Sequence, residues 1–360
     1  MSSVSIGENI KISLFGESHG FAIGGVIDGL PHGQKVDMEK LDKFMARRKP
    51  GSGKYITQRK ERDEIKFLSG IKDSIIMGDP LAVIIENNNI RPEDYKSLAY
   101  TPRPSHIDFS AKKKFGEHIG LSGGGGHFSG RLTAILTVFG GIAKQILESK
   151  NILVSAHLDR IREIQDTRHN DIENIQKAVD KSEKNRYSII NEENMEKIDK
   201  VLQELVKEKD STGGIVECSV FGLSPGVGNP VFDGLENNIA KMSFAIPGVK
   251  GIEFGSGFEG ALKLGSENND NFYIDERKEI KTKTNHAGGI LGGISSGMPI
   301  NLKVAFKPTP SIGKEQETVN IQTMSNTRIK IKGRHDPCIA IRGVVVVEAI
   351  VSLVVLDYLL

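Results

Sequence analysis

The sequence predicts a globular α+β fold, because strand patterns and helix patterns alternate along a chain of ordinary composition. Of its 360 residues, 38% are hydrophobic and 26% are charged, which allows a substantial core in one large or two ordinary domains. Short apolar or alternating segments predict strands at 9–15, 22–27, 64–68, 81–86, 153–158, 213–221, 301–306 and 328–332.

Longer segments with apolar residues at helical spacing predict helices at 37–48, 132–147, 172–185 and 191–209. Asp37 is the expected N-cap of the first helix. The apolar segment 338–360 is long enough to cross a membrane, but Arg342, Glu348 and Asp357 would be costly in hydrocarbon. We therefore expect a buried core helix there and no membrane association.

Charge and cysteine content exclude several classes of protein. Lys and Arg number 48 and Asp and Glu 46, so no basic excess points to nucleic acid. The two cysteines provide neither a disulfide framework nor a metal cluster, which suits a reducing cytoplasm. Residues 1–16 lack the basic and apolar regions of a signal peptide. These features predict a cytoplasmic protein without a metal.

A run of four glycines at 123–126 precedes His127, Ser129 and Arg131, and the predicted helix at 132–147 follows. Glycines allow backbone N–H groups to approach a ligand, and a helix N-terminus favours an anion. A flexible linker is the alternative, but linkers are usually flanked by polar sequence rather than by a core helix. The run therefore predicts a phosphate cradle.

Other glycine- or proline-framed loops carry further proton-handling and basic side chains. His19 lies between glycines at 16–20, and Arg103 and His106 lie in a proline-stiffened segment. The basic segment 47–62 forms either a solvated face or a lid over an anionic substrate. Further such loops occur at 246–251, 285–293, 307–311 and 333–337. Because no nucleophile, dinucleotide or metal motif accompanies them, they predict a proton-transferring site for a multiply charged anion.

Six motifs in this chain together resemble the chorismate synthase family. They are GESHG at 16–20, RPSHID at 103–108, SGGGG and SGR within 122–131, NHAGGILGGISSG at 285–297, KPTPSI at 307–312 and GRHDPC at 333–338. The resemblance implies one β-α-β sandwich domain over 1–360, with flexible active-site loops around 47–62, 101–130 and 307–337. A glycine pattern shared by 24–31 and 292–299 adds a weak internal repeat.

The resemblance also implies an activity. The family converts 5-enolpyruvylshikimate 3-phosphate into chorismate and phosphate by anti-1,4-elimination, without net redox change, and it requires reduced FMN. It is a lyase of the shikimate pathway, which leads to the aromatic amino acids. The family forms cytoplasmic homotetramers. No added reductase segment is recognisable in this chain, so we expect a separate flavin reductase to supply the reduced flavin, with NADPH involved only through that enzyme.

By resemblance, the acid–base histidines fall on His19 and His106, one protonating the flavin and the other the departing phosphate. Asp336 would help the flavin accept the C6 proton, and Ser18 and Ser129 would relay protons. The implied substrate contacts are Arg48, Lys54, Arg103, Arg131 and Arg334, whose charges suit carboxylate and phosphate. The implied flavin contacts are His127, Phe128, Ser129, Pro247, Gly248, Gly292, Lys307, Pro308, Thr309, Pro310, Ser311 and Arg334.

The chain departs from the family pattern at three places. Lys54 stands where many members have arginine, so charge is kept but a bidentate contact is lost. His127-Phe128 replaces the usual Arg-Ser or Arg-Ala, and RPSHID replaces RPGHAD.

Two other classes of function compete with this interpretation. A binding module for a phosphorylated metabolite would have no need of His19, His106 and Asp336. A nucleic-acid binder would need aromatic platforms and a basic excess, whereas the chain has six tyrosines and no tryptophan.

Overall fold

The computed structural model describes residues 5–48, 63–87, 100–116, 125–331 and 336–360. Its strands are β1 Ser5–Ile6, β2 Lys11–Gly16, β3 Ala22–Asp28, β4 Lys66–Phe67, β5 Ile71–Lys72, β6 Ile75–Ile76, β7 Leu81–Glu86, β8 Leu153–Ile161, β9 Ile164–Gln165, β10 Gly214–Phe221, β11 Val249–Phe254, β12 Phe272–Ile274, β13 Ile280–Thr282, β14 Ile290–Leu291, β15 Ile294–Ser295, β16 Ile300–Phe306, β17 Glu315–Asn320 and β18 Ser325–Lys330. Its α-helices are α1 Met38–Arg48, α2 Asp108–Phe115, α3 Thr133–Ser149, α4 Ile175–Lys184, α5 Asn194–Glu208, α6 Leu235–Phe244, α7 Gly257–Gly260, α8 Gly265–Asn268 and α9 Ala340–Tyr358.

Two antiparallel sheets enclose a layer of helices. Sheet one has the strand order β1-β2-β3-β7-β4, and sheet two has the order β11-β16-β10-β8-β9. Helix α3 packs on strands of sheet one, helix α9 packs on strands of sheet two, and the two helices pack on each other. The arrangement is the β-α-β sandwich that the sequence resemblance implies.

The two central helices are apolar on nearly all sides because both are enclosed. A helix of this composition is stable only inside a core or a membrane. The segment Gly130–Ser149 is long and apolar enough to span a bilayer, but 83% of its most apolar 18-residue stretch is buried within the fold. Helix α9 is likewise buried from Ala340 to Leu356, with Arg342 half-buried near its start. Both predicted core helices are confirmed.

Helices α3 and α9 approach each other closely at Gly140. A Cβ atom added there would lie 2.3 Å from Cβ and 2.4 Å from Cα of Ala349. Such distances are far inside van der Waals contact, so the crossing point requires glycine on one helix and a small residue on the other.

A buried carboxylate joins the helix layer together. Glu348 of α9 is fully buried and accepts a hydrogen bond from Lys144 of α3 and one of 2.8 Å from Arg47 of α1. Its Oε2 also accepts a 3.3 Å bond from the backbone N–H of Ala156 in β8. Burial alone would raise the pKa of Glu348, but the charges of Arg47 and Lys144 outweigh it and hold that pKa below its usual value.

Most predicted elements are confirmed, with ends that differ by a few residues. Asp37 caps α1, since its carboxylate accepts a 3.0 Å bond from the Lys40 N–H. In the helix predicted at 191–209, the apolar residue Val206 lies outside the core, because it is 48% exposed. The two copies of the glycine pattern have different local structures: Gly24 lies inside β3, whereas Gly292 has φ +62 at the turn between β14 and β15. The later glycines of the pattern are alike, with φ +90 at Gly29 and φ +85 at Gly297.

The close helix crossing gives a stability prediction. Gly140→Ala should lower the free energy of unfolding by about 1–3 kcal/mol, because overpacking outweighs the gain of about 1 kcal/mol in helix propensity. Gly265→Ala is the matched control, since a Cβ there meets nothing within 4 Å. Urea denaturation measures both variants. A Gly140→Ala protein as stable as the Gly265→Ala protein would contradict this packing.

Candidate functional site

One buried carboxylate holds two of the predicted substrate arginines, and we name these three residues the Asp63 cluster. Arg48 Nη1 lies 2.8 Å from Asp63 Oδ2, and Arg131 Nη1 donates to Asp63 Oδ1. Arg48 ends helix α1 and is 3% exposed, while Arg131 lies in the 3-10 turn Gly130–Leu132 before α3. One carboxylate between two guanidinium groups leaves an excess positive charge, which suits an anionic ligand.

Asn87 links this cluster to the loop that carries His19. Its amide Nδ2 donates to the carbonyls of Glu17 at 3.0 Å and Gly20 at 2.8 Å, and its Oδ1 accepts a 3.0 Å bond from Arg131 Nε. Within the loop, Ser18 Oγ lies 3.0 Å from His19 Nδ1. The chain after β2 therefore presents Ser18 and His19 beside the predicted anion site.

The part of the glycine run that the structure describes begins at residue 125. The Gly126 carbonyl accepts a 3.2 Å bond from the Ser18 N–H, and His127 Nδ1 lies 3.2 Å from the Gly16 carbonyl. Ser129 Oγ accepts a 3.2 Å bond from the Arg131 N–H, so it caps the turn that leads into α3. These contacts bring two predicted loops, 16–20 and 125–131, together.

A second carboxylate orients Arg103 and His106, and we name these residues the Asp108 cluster. The guanidinium group of Arg103 donates to both oxygens of Asp108 at 2.7 Å, and His106 Nδ1 lies 2.6 Å from Asp108 Oδ1. Arg103 Nη1 also donates to Ser311 Oγ at 3.3 Å. Burial would raise the pKa of Asp108, but hydrogen bonds and charge from Arg103 and His106 hold it well below its usual range.

Arg342, at the start of α9, connects the Asp63 cluster to Asp336. Its Nε donates to the Arg48 carbonyl at 3.0 Å, and its Nη1 donates to Asp336 Oδ2 at 2.9 Å. The Asp336 carbonyl accepts a 3.0 Å bond from Thr309, which lies two residues before the Ser311 that contacts Arg103. A continuous set of contacts therefore runs from Asp63 to His106 through Asp336.

The loops predicted to hold the flavin also meet near Asp336. Lys307 N–H donates to the Gly248 carbonyl at 2.9 Å, and Lys307 Nζ donates to the Ser105 carbonyl. Burial, and then the charge of Lys250, lower the pKa of Lys307.

Two features fit a planar, hydrogen-bonding ligand. Asp336 Oδ1 is buried and has no hydrogen-bond partner among the residues described. Such an acceptor calls for an N–H or O–H donor from a ligand. Prolines 247, 308 and 310 supply apolar surface in the loops predicted to hold the flavin. Phe128 of the 127–129 turn lies beside Phe115 at the end of α2, with ring centroids 6.1 Å apart, and adds a second apolar surface.

Three predicted site residues are not placed with the others. Lys54 and Arg334 lie outside the described residues. Gly292 is exposed at the β14–β15 turn. The hairpin lies beside Leu235, whose N–H donates a 3.0 Å hydrogen bond to the Gly293 carbonyl.

Sequence reasoning missed four residues that orient the predicted ones: Asp63, Asn87, Asp108 and Arg342. Asp108 stands inside the quoted RPSHID motif, so its spacing from Arg103 and His106 was an available signal. Arg342 was noted only as a charge in an apolar helix. Asp63 and Asn87 contact residues that are distant in the sequence. Asp63, for example, pairs with Arg131, which lies 68 residues later.

Comparisons with known proteins agree on one family. A sequence model of the family described as chorismate synthase matches residues 10–360. A chorismate synthase of Lancefieldella parvula is 44% identical, covering 100% of this chain and 97% of that protein. One of Synechocystis sp. is 40% identical, covering 99% and 97% respectively. A solved structure, described as the crystal structure of chorismate synthase, superposes with a TM-score of 0.76 at 23% identity, covering 98% of this chain and 92% of that one, and supports the fold.

The Asp108 cluster gives a pH prediction. Because the folded pKa of Asp108 lies below its ordinary value of 3.8, its stabilisation is present above about pH 4 and is lost as the pH falls further. Asp108→Asn should therefore lower the free energy of unfolding by about 3 kcal/mol at pH 7, by leaving Arg103 buried without its partner, and by a smaller amount near pH 3, which lies below the ordinary pKa of Asp108 but above its folded pKa. Asp42→Asn, at an exposed position in α1, is the control. Denaturation curves at both pH values measure the difference, and a loss for Asp108→Asn that is equal at pH 7 and pH 3 would contradict the assignment.

Proposed function

Because this chain belongs to the chorismate synthase family, we propose that the Asp63 cluster, the Asp108 cluster and Asp336 form the active site of its reaction. The enzyme is a carbon–oxygen lyase of the shikimate pathway. It converts 5-enolpyruvylshikimate 3-phosphate into chorismate and phosphate, by breaking the C3–O bond and removing a hydrogen from C6 without net redox change. The observation that carries the proposal is the position of Asp336: Arg342 joins it to Arg48 of the Asp63 cluster, and Thr309 joins it to the loop whose Ser311 contacts Arg103.

The substrate carries two carboxylates and a phosphate, and we assign these anions to the arginines. Arg48 and Arg131 are fixed by Asp63, and Arg103 by Asp108, so each guanidinium group is oriented before substrate binds. Pre-oriented charges need little reorganisation as charge develops on the departing phosphate. Lys54 and Arg334 complete the proposed substrate set by resemblance to the family.

The proton transfers are assigned to His106, His19 and Asp336. His106 Nδ1 faces Asp108, which leaves Nε2 available to protonate the departing phosphate. His19 is also paired through its Nδ1, in this case with the Ser18 hydroxyl. We propose that Ser18 and Ser129 relay protons to His19. Asp336 uses Oδ2 for Arg342, so its buried Oδ1 remains to assist removal of the C6 proton.

The family uses reduced flavin, and we propose that this chain uses reduced FMN. When bound, the reduced flavin supplies electron density to the substrate as the phosphate leaves. Arg334, the 127–129 turn, Pro247, Gly248 and the 307–311 loop would hold it. Gly292 is assigned to a contact across an interface of the proposed homotetramer, because its hairpin turn is exposed in a single chain. A separate reductase would supply the reduced flavin in the cytoplasm, using NADPH.

Anaerobic mixing tests the function directly. The protein with photoreduced FMN and 5-enolpyruvylshikimate 3-phosphate should produce diene absorbance and stoichiometric phosphate, while oxidised FMN should give neither. Release of phosphate without a diene would indicate a phosphatase. If no phosphate were released, the protein would bind the substrate without converting it.

His106→Ala and Asp336→Asn should each lower kcat by about 10²- to 10⁴-fold, the usual contribution of a general acid or base. FMN affinity, measured by flavin fluorescence, should largely survive, since neither change alters the loops that hold the flavin. His32→Ala removes an exposed histidine and serves as control. Undiminished phosphate release in both active-site variants would assign the chemistry to other residues.

A further inference from the structure

A cluster of buried polar side chains lies on the face of sheet two that points away from the helix layer. His157 of β8 and Glu217 of β10 are direct register partners, so their side chains project from the same face. The flanking Val216 and Cys218 project to the other face, into the hydrophobic core. His169, from the 3-10 turn His169–Asp171, packs over this pair, and all three side chains are at most 4% exposed.

These three side chains have the geometry of a ligand set. Each offers one nitrogen or oxygen atom, and the three atoms lie within 4.8 Å of one another. His157 Nε2 is 3.6 Å from Glu217 Oε2 and 3.9 Å from Asp166 Oδ2. Tetrahedral zinc with bonds of about 2.0–2.1 Å would separate its ligand atoms by about 3.4 Å. The His157–Glu217 pair already has nearly this separation.

The hydrogen bonds around His169 fix where its proton lies. The hydroxyl of Ser219 donates to Asn301 Oδ1 at 2.7 Å, so it must accept the 2.8 Å bond that it forms with His169 Nδ1. The amide of Asn301 is itself oriented, because its Nδ2 donates to Asn170. His169 therefore carries its proton on Nδ1, and Nε2 is a bare lone pair that is buried without a partner in the described chain.

His157 is in a similar position. Both of its ring nitrogens are buried without a hydrogen-bond partner of normal geometry among the described residues. A ring nitrogen that is buried without a donor keeps a lone pair available to a metal ion.

Three buried carboxylates lie close to the two imidazoles. Glu217 Oε2 accepts a 2.8 Å bond from the His169 N–H, and Asp159 and Asp166 are also buried close by, with Lys303 and Arg168 as the nearby positive charges. The lone pairs of the two imidazoles and the Glu217 carboxylate repel one another, and a buried water could donate to only two of these three groups. A cation can bind all three.

We propose that His157, His169 and Glu217 bind one divalent first-row transition-metal ion, with zinc the closest match to two imidazoles and a carboxylate. Magnesium and calcium prefer oxygen ligands only. Asp166 or a water would complete the coordination. The Ser219 hydroxyl orients the imidazole of His169, as partners outside the coordination sphere commonly do. The ion would join the 166–190 segment to sheet two and would take no part in the elimination.

Metal content of the full-length protein tests the proposal. Protein produced in zinc-supplemented medium and dialysed against EDTA should retain about one zinc per chain by mass spectrometry, as expected for a buried site. His157→Gln, His169→Gln and Glu217→Gln should lose it, whereas His32→Gln, at an exposed position, should keep it. Equal zinc in His157→Gln and wild-type protein would place the metal elsewhere and overturn the assignment.

A second measurement does not depend on the variants folding. Wild-type protein is refolded from denaturant once with EDTA and once with Co²⁺. Only the sample with Co²⁺ should show the intense visible bands of tetrahedral cobalt and a raised Tm. Wild-type protein that retains no stoichiometric zinc and gives no such bands would show that the acceptors share a proton or water instead.

Discussion

The charge of Glu348 inside helix α9 is the constraint on which the rest of the structure depends. A carboxylate buried between two sheets is tolerated only when cations reach it, and Lys144 and Arg47 approach it from two different helices. The two pairings fix α1, α3 and α9 relative to one another. Because Arg47 points into the core, the next residue, Arg48, is turned about 100° around α1 and points to Asp63.

Helix α9 thus positions the site at two places. Glu348 sets the helix register, and six residues earlier Arg342 emerges on a different face to hold the Arg48 carbonyl and Asp336. The loops that carry the chemistry are long and glycine-rich, so rigid helices must supply the precision that the loops lack. The substrate arginines are positioned in a similar way. Each is paired with Asp63 or Asp108, so a carboxylate of the protein orients it rather than the ligand.

Periodicity was sufficient to predict the elements, since a buried helix such as Thr133–Ser149 and an alternating strand such as Gly214–Phe221 each have a local signature. Motif resemblance identified the loops of the site. Neither could identify Asp63 or Asn87, whose partners are distant in the sequence, nor show that Gly292 lies on an exposed hairpin. The His157–His169–Glu217 cluster was not predicted for the same reason: its spacing matches no metal motif, strand register pairs His157 with Glu217, and tertiary packing adds His169.

A double-mutant cycle between Arg342 and Asp336 tests the central claim that α9 positions the catalytic carboxylate. In kcat at saturating substrate, Arg342→Gln should act mainly through Asp336, so the double variant with Asp336→Asn should lose much less activity than the product of the two single losses. A double variant whose loss equals the product of the two single losses would show that the two residues act independently, and would contradict the account.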